Sequence, residues 1–199
     1  MIPPRLVLAT GNPGKVDELR ALVTEWGPVA VLDLRAFPAV VLPEETAPSY
    51  AGNATLKAQA AAAATALPAL ADDSGLEVDA LGGEPGVRSA RWAGAQATDA
   101  ERVAKLLGAL AGVPEAARGA RFRCVVALAW PDGRSETAEG TCSGRIGFVP
   151  EGRGGFGYDP VFVADELGLS LGRATSVEKQ RISHRARAMR LLGARLRAA

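Results

Sequence analysis

Residues 6–15 read Leu6-Val7-Leu8-Ala9-Thr10-Gly11-Asn12-Pro13-Gly14-Lys15, an apolar run that leads into a glycine-rich turn. A helical pattern follows from Val16, so the stretch is typical of a buried strand, a turn and the start of a helix. In such a turn the backbone N–H groups and the positive end of the helix point toward one spot, and glycine lets the backbone close around an anion. Lys15 adds a full charge. The stretch favours a phosphate site over the alternative, an ordinary strand-to-helix turn, although its G-x-x-G-K spacing is not that of a Walker A loop.

The composition is that of a chain that can bury a core and has no excess of one charge. With 199 residues and 48% hydrophobic content, we expect one domain over residues 1–199, with room for two lobes. The 23 basic and 22 acidic residues give a net charge of +1, which gives no support to binding of nucleic acid polymers or anionic membranes. No apolar stretch approaches the ~20 residues of a membrane span. Cys124 and Cys142 lack metal-ligand spacing, and with no secretory segment they predict reduced thiols in a cytoplasmic protein.

Alternating helical and strand patterns predict an α/β fold. We expect helices over residues 16–26 and 49–67 and strands over 29–34, 69–71, 120–130, 135–149 and 161–163. Two capping boxes, which begin at Thr98 and Thr175, each start a further helix. The C-terminal helix directs Met189, Leu192 and Leu196 inward. The whole pattern predicts a mixed domain with a long central sheet.

Two pairs of acidic residues are candidates for chemistry. Glu44 and Glu45 share a loop, and Asp72 and Asp73 stand where a strand is expected to open into a turn. Clustered carboxylates are costly unless a cation or a proton lies between them. Mg²⁺ prefers such oxygens and shares its coordination with water and substrate phosphates. The alternative is that Asp72 and Asp73 only cap a turn and the glutamates are solvated, and the spacing alone does not separate the two interpretations.

The remaining signals are weaker. Asn53 and Lys57 are four residues apart and share one face of a helix. Phe156 and Tyr158 lie in a glycine-flanked loop, where a ring could lie against a nucleobase, although for Tyr158 a turn that packs on the core is the better interpretation. His184 is the only histidine; taken alone it is typical of an exposed polar residue, without the partners of a triad or a metal site.

In this order, the segments resemble the inosine triphosphate pyrophosphatase family, which hydrolyses non-standard purine nucleoside triphosphates. The matching stretches span nearly the whole chain: residues 9–15, 44–46, Asn53-Ala54 with Lys57, 71–76, 85–87, 154–160 and 183–185. Bacterial members are the most similar. The resemblance implies a long mixed β-sheet with helices that form two lobes around an active-site cleft, a requirement for Mg²⁺, and a homodimer.

The resemblance also implies roles for individual residues. Asp73 is similar to the general base and to a metal ligand, and Glu44 is similar to the other metal ligand. The triphosphate and sugar would be held by Thr10, Gly11, Asn12, Pro13, Gly14, Lys15, Lys57 and Ser74. The nucleoside end would be held by Phe156, Gly157, Tyr158, Asp159, Lys179, His184 and Arg185. One departure is Gly52, which stands where the family often has Glu before the Asn-Ala pair, so the affinity for Mg²⁺ is expected to differ.

We therefore expect Mg²⁺-dependent hydrolysis of ITP, dITP and XTP to the monophosphate and pyrophosphate. Arg185 has donors only, and a donor-lined pocket pairs with a 6-oxo purine and mismatches adenine. One alternative is a Maf-like nucleotide pyrophosphatase that acts on other bases, which the Asn12 loop and residues 183–185 argue against. Another is a nucleotide-binding regulatory module without turnover, which would not need both Glu44 and Asp73.

Overall fold

Seven strands form one mixed β-sheet in the order β2-β1-β3-β4-β5-β6-β7, in a computed structural model that describes residues 1–198. The strands are β1 Arg5–Leu8, β2 Ala30–Asp33, β3 Ala69–Val78, β4 Gly119–Ala129, β5 Ser135–Ile146, β6 Phe162–Ala164 and β7 Leu169–Ser170. The helices are α1 Pro13–Val23, α2 Tyr50–Thr65, α3 Asp99–Ala109, α4 Ser176–Ile182 and α5 His184–Ala198. Strand β1 pairs in parallel with β2 and β3, whereas β6 is antiparallel to β5 and β7. The predicted α/β fold with a long mixed sheet is confirmed.

The main correction concerns β3. The sequence predicts that this strand ends at Ala71 and opens into a turn at residues 72–75, but the strand continues to Val78. Acidic residues and glycine disfavour strands only weakly, and tertiary context overrides that preference. Here β3 lies between β1 and β4, and Leu76 and Val78 are fully buried beyond the expected turn. The interpretation of Asp72 and Asp73 as turn caps is therefore wrong.

Other boundaries move by a few residues. Helix α1 starts at Pro13, three residues before the predicted start, because Asn12 caps it and proline is favoured in a first turn. Helix α2 ends at Thr65, where Ala66 takes a left-handed conformation with φ of 54°. Both predicted capping boxes, at Thr98 and Thr175, are present.

Two compact units make up the chain. Unit 1 contains Met1–Asp73, Cys124–Gly140 and the residues from His184 onward, and its core packs α1 and α5 against Leu6, Leu8 and Leu70. Unit 2 contains Ser74–Arg123 and Thr141–Ser183, and its core includes Phe122 and Phe162, whose ring centroids are 4.6 Å apart. Within residues 1–198, no helix has the length and apolar character that a membrane crossing requires.

Candidate active site

The predicted glycine-rich turn follows β1, and its last three residues, Pro13 to Lys15, form the first turn of α1 rather than preceding it. The Asn12 side chain accepts a hydrogen bond from the Lys15 backbone N–H at 3.2 Å, and the Asn12 N–H donates to Thr10 Oγ1 at 3.2 Å. These two bonds fix the backbone between the strand and the helix. The positive end of α1 and the Lys15 side chain, which is 15% exposed, therefore stand next to each other in unit 1.

Asp72 is the centre of a buried cluster of cations. Its Oδ2 lies 3.1 Å from Lys15 Nζ and accepts from Arg185 Nη2 at 2.9 Å and Arg185 Nε at 3.1 Å. Burial would raise the pKa of this carboxyl, but the charges of Lys15, Arg185 and Lys57 outweigh burial and hold the pKa well below its usual range. Asp72 is thus ionised at neutral pH and paired with Lys15 and Arg185.

Glu18 is a member of this cluster that the sequence prediction missed. Arg185 is 1% exposed, and its Nη1 donates to Glu18 Oε2 while its other nitrogens engage Asp72. Glu18 stands three residues after Lys15 on α1, so helical spacing puts both on one face. This spacing from Lys15 is the sequence signal that could have identified Glu18. Three nitrogens of Arg185 therefore already donate to carboxylates of its own unit. The prediction that Arg185 recognises the purine base did not include these contacts.

Asp73 has a different environment from its neighbour in the chain. It is 3% exposed, and its Oδ2 accepts a hydrogen bond from Asn53 Nδ2 at 2.9 Å. Burial raises the pKa of Asp73, the nearby Glu45 raises it further, and Lys57 and Asn53 only partly oppose this. A carboxyl with a raised pKa that sits beside cations is suited to accept a proton at neutral pH.

Lys57 connects the acidic loop to β3. Its Nζ donates to Glu45 Oε1 at 2.5 Å and to the Asp72 carbonyl oxygen at 2.6 Å. Burial would lower the pKa of Lys57, but Asp72 and Glu45 raise it above its usual value. Lys57 therefore remains charged in the folded protein.

The oxygen donors fit an Mg²⁺ ion that is bound partly by the protein and partly by water and substrate phosphates, rather than one enclosed by protein ligands alone. Asp73 is buried near Glu45, whereas the predicted ligand Glu44 is exposed in the same loop. Across residues 1–198, no group of three or more His, Cys, Asp and Glu side chains is placed to hold a metal ion. Because Mg²⁺ is usually bound by one or two carboxylates together with water and substrate phosphates, this donor set suits it.

Unit 2 brings together three of the residues predicted to hold the nucleoside end. Lys179 Nζ contacts Asp159 Oδ2 at 2.5 Å and lies 4.7 Å from the centroid of the Phe156 ring. Asp159 Oδ2 also accepts from the Phe156 backbone N–H at 2.9 Å. The capping box at Thr175 starts the short helix α4 that carries Lys179. Phe156 is half-buried.

The other predicted residues have mixed environments. Tyr158 is buried and donates through its hydroxyl to the Ser89 carbonyl at 3.0 Å, and burial raises the pKa of Tyr158 to about 12, which supports a core role. The Gly157 N–H donates to Asp99 at 2.6 Å. His184 is 4% exposed at the start of α5 and not the exposed residue that a lone histidine predicts. Ser74 follows Asp73 directly in β3 and is half-buried.

Comparisons with known proteins agree with this geometry. A family model described as the Ham1 family matches residues 6–195. The chain is 50% identical over 184 residues to the dITP/XTP pyrophosphatase of Geobacillus kaustophilus, covering 92% of this chain and 90% of that protein. It is also 50% identical over 188 residues to the dITP/XTP pyrophosphatase of Thermus thermophilus, with coverages of 94% and 89%. Among solved structures, a HAM1 protein from Coxiella burnetii has a TM-score of 0.87 at 39% identity, with 99% and 100% coverage.

Proposed function

The chain belongs to the Ham1 family, and on this premise we propose that it hydrolyses dITP, ITP and XTP to the monophosphate and pyrophosphate with Mg²⁺ as cofactor. The observation that supports this most directly is the pair of adjacent carboxyls in β3. Asp72 is held as an anion among Lys15 and Arg185, while Asp73 is buried with a raised pKa. Adjacent groups with opposite pKa shifts are typical of acid and base assignments in active sites.

The phosphate-binding part of the proposal uses unit 1. The backbone N–H groups of the Thr10–Lys15 turn, the positive end of α1 and the ammonium groups of Lys15 and Lys57 would neutralise the triphosphate. Mg²⁺, held by Asp73 and Glu44 together with phosphate oxygens, would supply further charge neutralisation and alignment of the α-phosphate. A chain with a net charge of +1 therefore concentrates positive charge locally.

Asp73 acts as the proton acceptor in this proposal. A water molecule attacks the α-phosphorus and forms a new P–O bond, and its proton passes to a carboxylate oxygen of Asp73. The bond between the α-phosphorus and the bridging oxygen breaks, and pyrophosphate leaves with the electron pair. Positioning and charge stabilisation are sufficient for this step, and no covalent nucleophile is needed.

For the nucleoside end, the proposal uses Phe156, Asp159 and Lys179 of unit 2. Phe156 would stack on a purine without distinguishing one from another, and Lys179 beside Asp159 would present a donor. Separately, in unit 1, His184 would favour an oxygen at the purine C6 over the amino group of adenine, and Arg185 would do so only through contacts beyond those with Asp72 and Glu18. A further proposal is that the protein is a homodimer. Light scattering of the purified chain measures its mass in solution and so tests this directly.

The test is an assay with Mg²⁺ and a panel of dITP, ITP, XTP, dATP and GTP in which pyrophosphate is resolved from orthophosphate. We expect pyrophosphate from the first three and little turnover of dATP. Orthophosphate with a diphosphate product would overturn attack at the α-phosphorus, and full activity in excess chelator would overturn the metal. Binding without turnover would indicate a regulatory module instead.

Asp73→Asn is the first variant to measure. Loss of a general base lowers turnover by about 10²–10⁴-fold, and binding of the triphosphate should persist because Lys15, Lys57 and the turn are unchanged. The control is Asp165→Asn, an exposed carboxyl in unit 2. Turnover near that of the wild type in Asp73→Asn would move the role of base to another carboxyl.

A further inference from the structure

Asn53 is a fully buried amide that uses both ends of its side chain. Its Nδ2 donates to Asp73 Oδ2 at 2.9 Å, and its Oδ1 accepts from the Ala47 backbone N–H at 2.9 Å. Ala47 belongs to the loop that carries Glu44 and Glu45. A single side chain on α2 therefore connects the acidic loop to the carboxyl in β3.

This side chain satisfies its partners in one orientation only. If the amide were rotated by 180°, its oxygen would face a carboxylate oxygen of Asp73 and its NH₂ group would face the N–H of Ala47. Both contacts would then be mismatched in a buried environment, where unsatisfied polar groups are costly. The two hydrogen bonds therefore define the amide orientation and make Asn53 a rigid spacer.

Gly52 gives the loop the room to take up this position. A Cβ atom at residue 52 would lie 2.6 Å from the Ala47 Cβ and 3.2 Å from Ser49 Oγ. The first of these distances is far below van der Waals contact, and neither neighbour can swing away, because one is a methyl group attached to the backbone and the other caps α2. With alanine at residue 47, the loop can take this position only because residue 52 has no side chain.

We propose that Asn53 is a positioning residue that holds Asp73 and the Glu44–Glu45 loop at a fixed separation. In this arrangement Gly52 leaves the room that the Ala47 methyl group occupies. The inference rests on the proposed function for its catalytic consequence, but its geometric part does not. Asn53 lies behind Asp73 and is not assigned a substrate contact. It sets where the carboxylate oxygens stand relative to each other, which determines how well they can share one cation.

The first experiment compares Asn53→Ala and Asn53→Asp with Gln59→Ala, which removes an exposed amide from the same helix. Asn53→Asp keeps an oxygen acceptor for Ala47 but loses the donor to Asp73, whereas Asn53→Ala loses both. Amide hydrogen exchange at Ala47 should be fast in Asn53→Ala and slow in Asn53→Asp, Gln59→Ala and the wild type. Equal protection of Ala47 in all four proteins would overturn the connection to the loop.

The same variants are then assayed with dITP and Mg²⁺. A displacement of about 1 Å in a catalytic group costs up to about 10²-fold in rate, so both Asn53 variants should lose at least about tenfold in kcat. Their KM for dITP should change by less than about threefold, because the phosphate-binding lysines and turn are untouched. An unchanged kcat with lower thermal stability would show a purely structural role and would overturn the proposal.

A second set of variants tests Gly52 independently. Gly52→Ala should increase exchange at Ala47 and lower kcat, and the double variant Gly52→Ala/Ala47→Gly should restore both. Failure of the double variant to recover would overturn the pairing of residues 47 and 52. If the wild-type chain released no pyrophosphate, the proposed function would fail, while the exchange data would still decide whether Asn53 holds the loop.

Discussion

At the scale of single residues, strand geometry explains how two identical side chains acquire different properties. Asp72 and Asp73 are consecutive in β3, so their side chains point to opposite faces of the sheet. Asp72 meets Lys15 from α1 and Arg185 from α5, whereas Asp73 meets Asn53 from α2. Each carboxyl therefore has its own side-chain partners, although the charge of Lys57 on α2 lowers the pKa of both.

Arg185→Ala is predicted to destabilise the protein because it removes a buried partner of Asp72. Loss of one member of a buried ion pair costs about 3 kcal/mol in the free energy of unfolding, which urea unfolding measures. Arg190→Ala is the control on the same helix, since Arg190 is a partly exposed partner of Glu25 and such pairs contribute at most about 1 kcal/mol. Equal effects of the two substitutions would contradict the burial argument.

The ratio of kcat/KM for dITP over dATP, measured on the folded Arg185→Ala variant, tests the separate proposal that Arg185 recognises the purine base.

At the scale of elements, the close approach of α5 to β5 places His184 and Arg185. Gly140 lies in β5, and a Cβ atom there would collide with the backbone of His184 and Ala188 and stand 2.8 Å from Arg187 Cβ. Only a glycine allows the first turn of α5 to lie directly on the strand. The depth of the Arg185 guanidinium next to Asp72 thus depends on a missing side chain in another element.

Gly140→Ala is predicted to push α5 away from the sheet. Overpacking of this kind costs about 1–3 kcal/mol, and activity should fall together with stability because the start of α5 moves. Gly108→Ala is the opposite case, since Gly108 lies in α3 and a Cβ atom there would meet no group of another element within 4 Å. That variant should gain about 0.5–1 kcal/mol. Thermal unfolding of both proteins checks the prediction, and a neutral Gly140→Ala would contradict the packing.

The end of β2 gives a prediction about pH. Asp33 accepts hydrogen bonds from the backbone and side chain of Arg35 and pairs with Arg20 at 2.9 Å, and chiefly the Arg35 side-chain bond lowers the pKa of Asp33 from 3.8 to about 2. A carboxyl whose pKa is lower in the folded than in the unfolded protein stabilises the fold at pH values above its unfolded pKa. This stabilisation is lost as the pH falls through the folded pKa. Asp33→Asn should therefore cost about 1 kcal/mol at pH 7, after allowance for the exposure of Arg35, and the difference from the wild type should shrink below about pH 4. A difference that stayed constant down to pH 2 would contradict this assignment.

At the scale of the whole molecule, the success of sequence reasoning follows the distance along the chain between contacting residues. Both capping boxes depend on residues three positions apart, and the sequence predicted them. Asp72 and Arg185 are 113 positions apart, and Glu18 and Arg185 are 167 positions apart. No local pattern encodes such pairs, so the sequence named Asp72 and Arg185 without pairing them and missed Glu18 altogether. The continuation of β3 was missed for the same reason, because neighbouring strands and not its own residues sustain it.

Each compact unit also contains one cysteine that can report when that unit opens. Cys124 lies in unit 1 and Cys142 in unit 2, and both thiols are fully buried. Burial, followed by the charge of Asp72, raises the pKa of Cys124 and disfavours the reactive thiolate. An alkylating reagent therefore modifies either cysteine only when its unit opens, and mass spectrometry of the two peptides records the openings separately. We expect Arg185→Ala to accelerate alkylation of Cys124 well beyond that of Cys142. Equal acceleration at both positions would mean that the two units open as one cooperative body.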